Sequence, residues 1–179
     1  MILLGKHFLY YTGMRKGEVQ ALAWQDIDLS NNEITVNKTL SVKTKGLYKI
    51  TSTKNYINRQ IKISRTLKEQ LILYKQEMMK YTDYSEKWFV FGCSRFMPQM
   101  TIDRKKQYYF KQAKLELITI HDFRHSHASF LLSKGIPITV ISKRLGHSNC
   151  SMTLRIYSHI MPDDEDKTID LLNKLKQNK

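Results

Sequence analysis

The chain has 179 residues, 41% hydrophobic and 26% charged, with 7 Gly and 3 Pro, proportions that exclude collagen-like, low-complexity and wholly disordered classes. Lys and Arg number 30 against 16 Asp and Glu, a formal net charge of +14, so the expected partner is a polyanion, nucleic acid before an anionic membrane surface. No apolar run reaches the roughly 18 residues of a membrane span, Met1–Gly5 is too short for a signal-peptide core, and Cys93 and Cys150 make neither a disulfide framework nor a four-thiolate zinc site, so a single domain in the reduced cytoplasm is expected.

The apolar stretch Phe8–Tyr11 is broken by Thr12-Gly13. A helix is expected from Lys16, with Val19, Leu22 and Ala23 on one face. Ile27 and Leu29 then alternate with Asp26 and Asp28, and Ser30-Asn31-Asn32 signals a turn. Glu33–Asn37, Leu47–Thr51 and Arg59–Ile63 read as strands, the last two joined by Asn55–Asn58, in a small antiparallel sheet with a basic outer face. Leu67, Leu71, Tyr74 and Met78 form an amphipathic stripe ending near Tyr81. Trp88–Gly92 is a short buried segment, and Thr101–Leu115 a basic helix.

From Thr119 onward the punctuation is dense. Thr119 and Asp122 have capping-box spacing, for a helix running to Ser133 or Lys134 with Gly135 just beyond. Pro137 suits the first turn of a second helix, which Gly146 closes. Ser148 or Asn149 can cap a third, carrying Thr153 to Tyr157. The acidic cluster Asp163–Asp166 opens a last helix with Leu171, Leu172 and Leu175 on its apolar side.

Several groups along this frame have chemistry in them. Thr12–Glu18 places Arg15 after a glycine turn with Glu18 three residues on, and an Arg so held offers a planar fork to phosphate oxygens. His121 and Arg124 share a helix face at that helix's positive end, where an anion is favoured. Leu145-Gly146-His147 puts an imidazole at a turn, and Tyr157 follows ten residues later. Alone, each also fits a bland reading: a surface ion pair, a capped helix with a core His, or one packed tyrosine among 10.

The ordered set is more specific. Arg15 in a TG-x-R-x-x-E context, His121-x-x-Arg124, Leu-Gly-His147 and Tyr157, with Leu22–Asp28 and His121–Ser126 around them, resembles the tyrosine recombinase (phage integrase) family over nearly the whole chain. Integrases of Gram-positive phages and conjugative transposons are the most similar members. The resemblance implies an α+β fold of the DNA breaking-rejoining type, mainly helical with a small three-stranded antiparallel sheet. It implies that residues 1–179 are a catalytic domain, with the N-terminal core-binding and arm-binding domains absent from this chain.

The implied reaction cuts and rejoins DNA through a covalent 3′-phosphotyrosine, for integration or excision of a mobile element. Tyr157 is then the nucleophile, and Arg15 and Arg124 the clamp on the phosphate. His147 donates a hydrogen bond, His121 is the proton acceptor or an organiser behind it, and Glu18 braces Arg15. The family's hairpin lysine maps best to Lys54, with Lys45 and Lys49 as fallbacks. No cofactor and no metal is implied, because the two arginines supply the charge. The His121/His125 spacing could hold zinc, but no HExxH glutamate accompanies it, and His125, His127 and His159 read as structural or DNA-facing.

Lys43, Lys45, Arg59, Lys62, Arg104, Lys105 and Lys106 are expected on backbone phosphates. The expected partners are double-stranded DNA and further copies of the chain, as a tetramer on DNA through the helix Asp164–Lys176, with room for an accessory DNA-bending or excision factor and no membrane. Two alternatives remain at this point: a truncated fragment that binds DNA without autonomous recombination, and relaxation of the type IB topoisomerase kind.

Overall fold

The computed structural model describes residues 2–42, 48–53 and 58–158 together with Ile169 and Leu172, with side chains from His7 onward except Val42. The helices are α1 (Ile2–Thr12), α2 (Lys16–Ala21), α3 (Arg65–Met78), α4 (Gln99–Gln112), α5 (Ile120–Ser133), α6 (Ile138–Leu145) and α7 (Cys150–Tyr157). The strands are β1 (Ile27–Asp28), β2 (Glu33–Val36), β3 (Lys38–Val42), β4 (Tyr48–Ser52) and β5 (Arg59–Lys62). The fold is mainly helical with small antiparallel sheets. Among the described residues no helix is long and apolar enough to cross a membrane.

Local chemistry sets most boundaries. Ser64 caps α3 by accepting from the Leu67 amide at 3.3 Å, and Leu67, Leu71 and Tyr74 face inward as their spacing requires. Thr119 and Asp122 form the expected reciprocal capping box at α5. Pro137 is the N-cap of α6 rather than its first-turn residue, and Asn149, not Ser148, caps α7 through the Ser151 amide. The apolar stretch around Phe8 is the end of α1, an element with no capping signal in its sequence; Gly13, at φ 63°, turns the chain sharply out of it.

The strand pairing differs from the sequence expectation. Strand β4 does not pair with β5 across the 55–58 connection. Instead β5 pairs with β2 and β2 with β1, in a three-stranded sheet, while β4 pairs with β3 in a two-stranded arm. Burial explains the exchange. Ile61 of β5 and Ile34 of β2 sit opposite one another with 1% and 0% exposure, so these strands must pair where the core is. Strand β4 has no buried residue and takes the nearby β3, with Leu40 opposite Ile50.

The core has two parts. One packs Phe8, Trp24, Ile34, Ile61, Leu67 and Leu71 with their neighbours, and the other packs Ala128, Leu132, Ile141, Leu145 and Tyr157. Arg144 ties them together. Its guanidinium donates to the Tyr11 carbonyl in the last turn of α1 at 2.9 Å, to the Lys62 carbonyl of β5 at 3.0 Å and to His127 Nε2 of α5 at 3.1 Å. His127 must be neutral to accept, and burial, then the Arg144 charge, pushes its pKa down to about 4.

That depressed value fixes a pH dependence. The unfolded chain takes up a proton on His127 near 6.5, and the folded chain resists until about 4. Stability is therefore full above pH 6.5 and falls as the pH drops toward 4, by about 3 kcal/mol from this group. Chemical unfolding from pH 7 to pH 4 should show the loss, and His127→Gln, which keeps an acceptor for Arg144, should flatten it.

Candidate active site

The C-terminal end of α6 is the structural centre of the site. Its last carbonyls have no partner within the helix and carry the negative end of the macrodipole. Three arginines from three other elements take them in succession. Arg59 Nε donates to the Arg144 carbonyl at 2.8 Å, Arg124 Nη2 to the Leu145 carbonyl at 2.7 Å, and Arg15 Nη2 to the Gly146 carbonyl at 3.0 Å. Arg124 Nη1 also donates to the Gly13 carbonyl, where α1 ends, at 2.6 Å. Gly146 lies at φ 68°, and a Cβ there would stand 2.6 Å from Arg59 Nη1, so glycine is required both for the turn and for the approach of that arginine.

Glu18 is the counter-charge. Arg59 grips its carboxylate bidentately at 2.9 and 2.7 Å, Arg15 reaches it at 3.1 Å, and the Arg15 amide donates to it at 2.8 Å. Burial raises the Glu18 pKa, but the Arg59 bonds and charge, with Arg15, outweigh it and hold the carboxyl below its usual range. One carboxylate thus faces Arg15, Arg59 and Arg124. The excess is felt at Arg124, 3% exposed, whose pKa burial and then Arg15 push down to about 9. It remains charged at neutral pH, in a place where an anion is strongly favoured.

Around this centre stand three imidazoles and a phenol. His147 follows the Gly146 turn with its Nδ1 2.7 Å from Thr153 Oγ1, and burial, then Arg124 and Arg15, pushes its pKa down to about 4. Tyr157 is 3% exposed, and its Oη lies 2.7 Å from His125 Nδ1. Burial raises the phenol's pKa and the Arg124 charge opposes the rise. His121 packs edge to face on His125 with ring centres 4.6 Å apart, and burial, then His125, lowers its pKa. One cleft of about 360 Å³ is lined by Lys16, Lys106 and His121 among others, and another of about 810 Å³ by His147 and Lys143 among others.

The structure therefore gathers Arg15, Glu18, Arg124, His147 and Tyr157 about one helix end, with His121 beside His125 on the same helix. Lys54, Lys43 and Lys45 lie outside the described residues, as does the helix expected over 164–176 apart from Ile169 and Leu172. The fallback Lys49 is exposed on β4. Arg59, expected on a DNA phosphate, corrects that reading. It is 8% exposed and committed inward to Glu18 and α6, because a buried carboxylate needs a bidentate partner. Lys62 is exposed and paired with Glu33 at 2.7 Å, Lys106 donates to the Ile118 carbonyl at 2.9 Å, Arg104 is exposed and Lys105 half-buried. His125, read as structural or DNA-facing, touches the phenol, and its spacing of four from His121 was the available signal. Thr153 and Arg144 had no such signal.

The Glu18 cluster makes a stability prediction. Glu18→Gln leaves buried guanidiniums without their carboxylate and should cost about 3–5 kcal/mol, the usual penalty for removing one partner of a buried pair. Thermal unfolding should show a loss of roughly 10 °C for a chain of this size. Unchanged melting would mean that the helix carbonyls alone hold the arginines.

Known proteins resemble the chain in sequence and in fold. The chain is 32% identical over 174 residues to the ICEBs1 integrase of Bacillus subtilis, covering 93% of this chain and 47% of that protein. It is 30% identical over 184 residues to a XerC-like tyrosine recombinase of Caldanaerobacter subterraneus, covering 92% of this chain and 47% of that protein. The chain thus spans about half the length of these curated relatives. Its fold superposes on the Tn1549 transposon integrase, solved in complex with transposon right end DNA, with a TM-score of 0.73 at 21% identity, over 97% of this chain and 58% of that one. The family model of the phage integrases matches residues 4–163, and with the arginines, imidazoles and tyrosine gathered at the end of α6, the chain belongs to the phage integrase family.

Proposed function

We propose that this domain cuts and rejoins DNA strands through a covalent phosphotyrosine, as the catalytic part of a site-specific recombinase of a mobile element. The observation that carries the reading is the convergence of Arg15, Arg124 and His147, from distant parts of the chain, beside the Tyr157 phenol. Tyr157 Oη attacks the scissile phosphorus in line, the P–O5′ bond breaks, and a 3′-phosphotyrosine and a 5′-hydroxyl result. The charge that builds on the phosphate oxygens meets Arg15 and Arg124, already fixed by helix carbonyls and so needing no reorganisation. His147, neutral because its pKa is about 4, accepts from Thr153 at Nδ1 and donates from Nε2 to the same oxygens. Glu18 holds Arg15 in register through Oε1. Lys54 protonates the leaving 5′-oxygen.

The phosphodiester energy is kept in the tyrosyl ester, so a 5′-hydroxyl from another strand reverses the step without ATP. The substrate is double-stranded DNA in the cytoplasm, consistent with the +14 charge and with the DNA bound in the Tn1549 relative. Lys43, Lys45, Arg104, Lys105 and Lys106 add phosphate contacts that set affinity. Protomers assemble as a tetramer on DNA through the segment 164–176, leaving the integration or excision choice to an accessory factor.

A nicked duplex that loses its short 5′ fragment after cleavage traps the intermediate. Wild-type protein should yield an SDS-resistant protein–DNA adduct, and Tyr157→Phe none. Adduct formation by the Phe variant would exclude Tyr157 as nucleophile, and a wild-type protein that binds the duplex without forming adduct would leave a binding module only.

Arg124→Lys separates chemistry from binding. It keeps a charge but loses the fork that spans the Gly13 and Leu145 carbonyls. Single-turnover cleavage should fall roughly 100-fold or more, as for loss of an oxyanion donor, with duplex affinity changed only a few-fold. Equal losses in both would make Arg124 a simple phosphate anchor.

A further inference from the structure

We infer that His125 is a catalytic residue: its Nδ1 takes the phenolic proton of Tyr157 as the phenol attacks, and returns it when the strand is rejoined. This deepens the proposed function and rests on it. The roles assigned from the motifs leave the phenolic proton with His121, yet the described His121 contact is with the His125 ring, 4.6 Å away, while the bond to Tyr157 Oη is made by His125 at 2.7 Å. That distance is within the reach a general base needs before any substrate binds.

The surroundings favour this assignment. His125 follows Arg124 directly and lies four residues after His121, so α5 presents the base, the phosphate clamp and a second imidazole on one side. The phenol ring packs in the second core cluster with Ala128, Leu132, Ile141 and Leu145, which fixes it against His125, and the Oη–Nδ1 bond itself is part-buried. The phenol's raised pKa makes unaided ionisation at neutral pH rare, so a partner must take the proton in the transition state. His121, held neutral by burial and by His125, adds no charge against an imidazolium forming on its neighbour.

The step balances without further reactants beyond those already assigned. The Oη–H bond breaks to His125 Nδ1 as the Oη–P bond forms. The P–O5′ bond breaks, and the 5′-oxygen takes its proton from Lys54. In the reverse direction the 5′-hydroxyl attacks phosphorus, Lys54 recovers its proton, and the imidazolium of His125 protonates the departing phenolate. Tyr157 is thereby reset for another cleavage.

Two measurements test the assignment. In the free protein, 15N spectra of the imidazoles should show His125 Nδ1 unprotonated, an acceptor whose resonance moves on Tyr157→Phe. A proton resident on Nδ1 would overturn the proposal, and this readout does not depend on cleavage. In single-turnover cleavage of the nicked duplex, His125→Ala and His125→Asn should both fall roughly 100-fold or more below wild type, within the usual range for general acid–base loss, with unchanged duplex affinity. The Asn amide can orient the phenol but cannot take its proton, so wild-type cleavage by His125→Asn would reduce His125 to a positioning role and overturn the proposal.

A substrate with sulfur in place of the bridging 5′-oxygen sharpens the result. Its thiolate leaves without protonation, so it should rescue Lys54→Ala but not His125→Ala. Rescue of His125→Ala would place the residue on the wrong side of the phosphorus. Should wild-type protein form no adduct, the proposed function fails. Should it form adduct while both His125 variants match it, that function stands and this inference alone fails.

Discussion

Three guanidiniums on three successive carbonyls of one helix end organise this molecule. A six-residue helix, a strand and a long helix have little in common in sequence, yet each delivers one arginine to α6. The helix end supplies what bare arginines lack when they are brought together out of water: a fixed negative partner for each. Glu18 adds the single full charge that makes the cluster tolerable. The cost of assembling cations is thus met by the fold before any anion arrives, which is the condition for electrostatic preorganisation.

The same bonds decide which arginines can act on a substrate. Arg59 and Arg144 spend their donors on Glu18, backbone carbonyls and His127, and they hold the β2–β5 sheet, α1 and α5 against α6. Arg15 keeps 34% of its side chain exposed while tied at one edge to Gly146 and Glu18. Arg124 lies between these cases, 3% exposed with both Nη groups on the Gly13 and Leu145 carbonyls, so of the three arginines on the end of α6 it is Arg15 that stands most open, although composition makes them look alike.

Much of this was legible in the amino-acid sequence, because the helix ends are written in local chemistry. Thr119 with Asp122, Asn149, Gly135 and Gly146 mark the boundaries that position His121, Arg124, His147 and Tyr157. Strand pairing was not, since Leu47–Thr51 and Arg59–Ile63 look equally paired by spacing and differ in which face finds a core. Arg59 was misread for a related reason. Alternation with exposed Gln60 and Lys62 puts 59 on the inward face with Ile61, but nothing local tells that a buried carboxylate waits there for an arginine. His125 fell between two patterns, belonging to the face of His121 without being one of the residues that the family order singled out.

Helix α7 brings these threads together. It has 8 residues, and Met152, Leu154 and Ile156 on it are exposed, while Thr153 and Tyr157 are buried. Those two are one turn apart, and each hydroxyl meets an imidazole: Thr153 that of His147, Tyr157 that of His125. Helix α7 is therefore held on its inner face by the second core cluster and by two hydroxyl–imidazole bonds to groups beside the arginines. One nitrogen of His147 holds Thr153, so the turn that bears this imidazole is tied directly to the helix that carries the phenol. The phenol and the Arg15–Arg124 cluster are thus coupled through two side chains only one helical turn apart, so a shift at either histidine is passed to Tyr157.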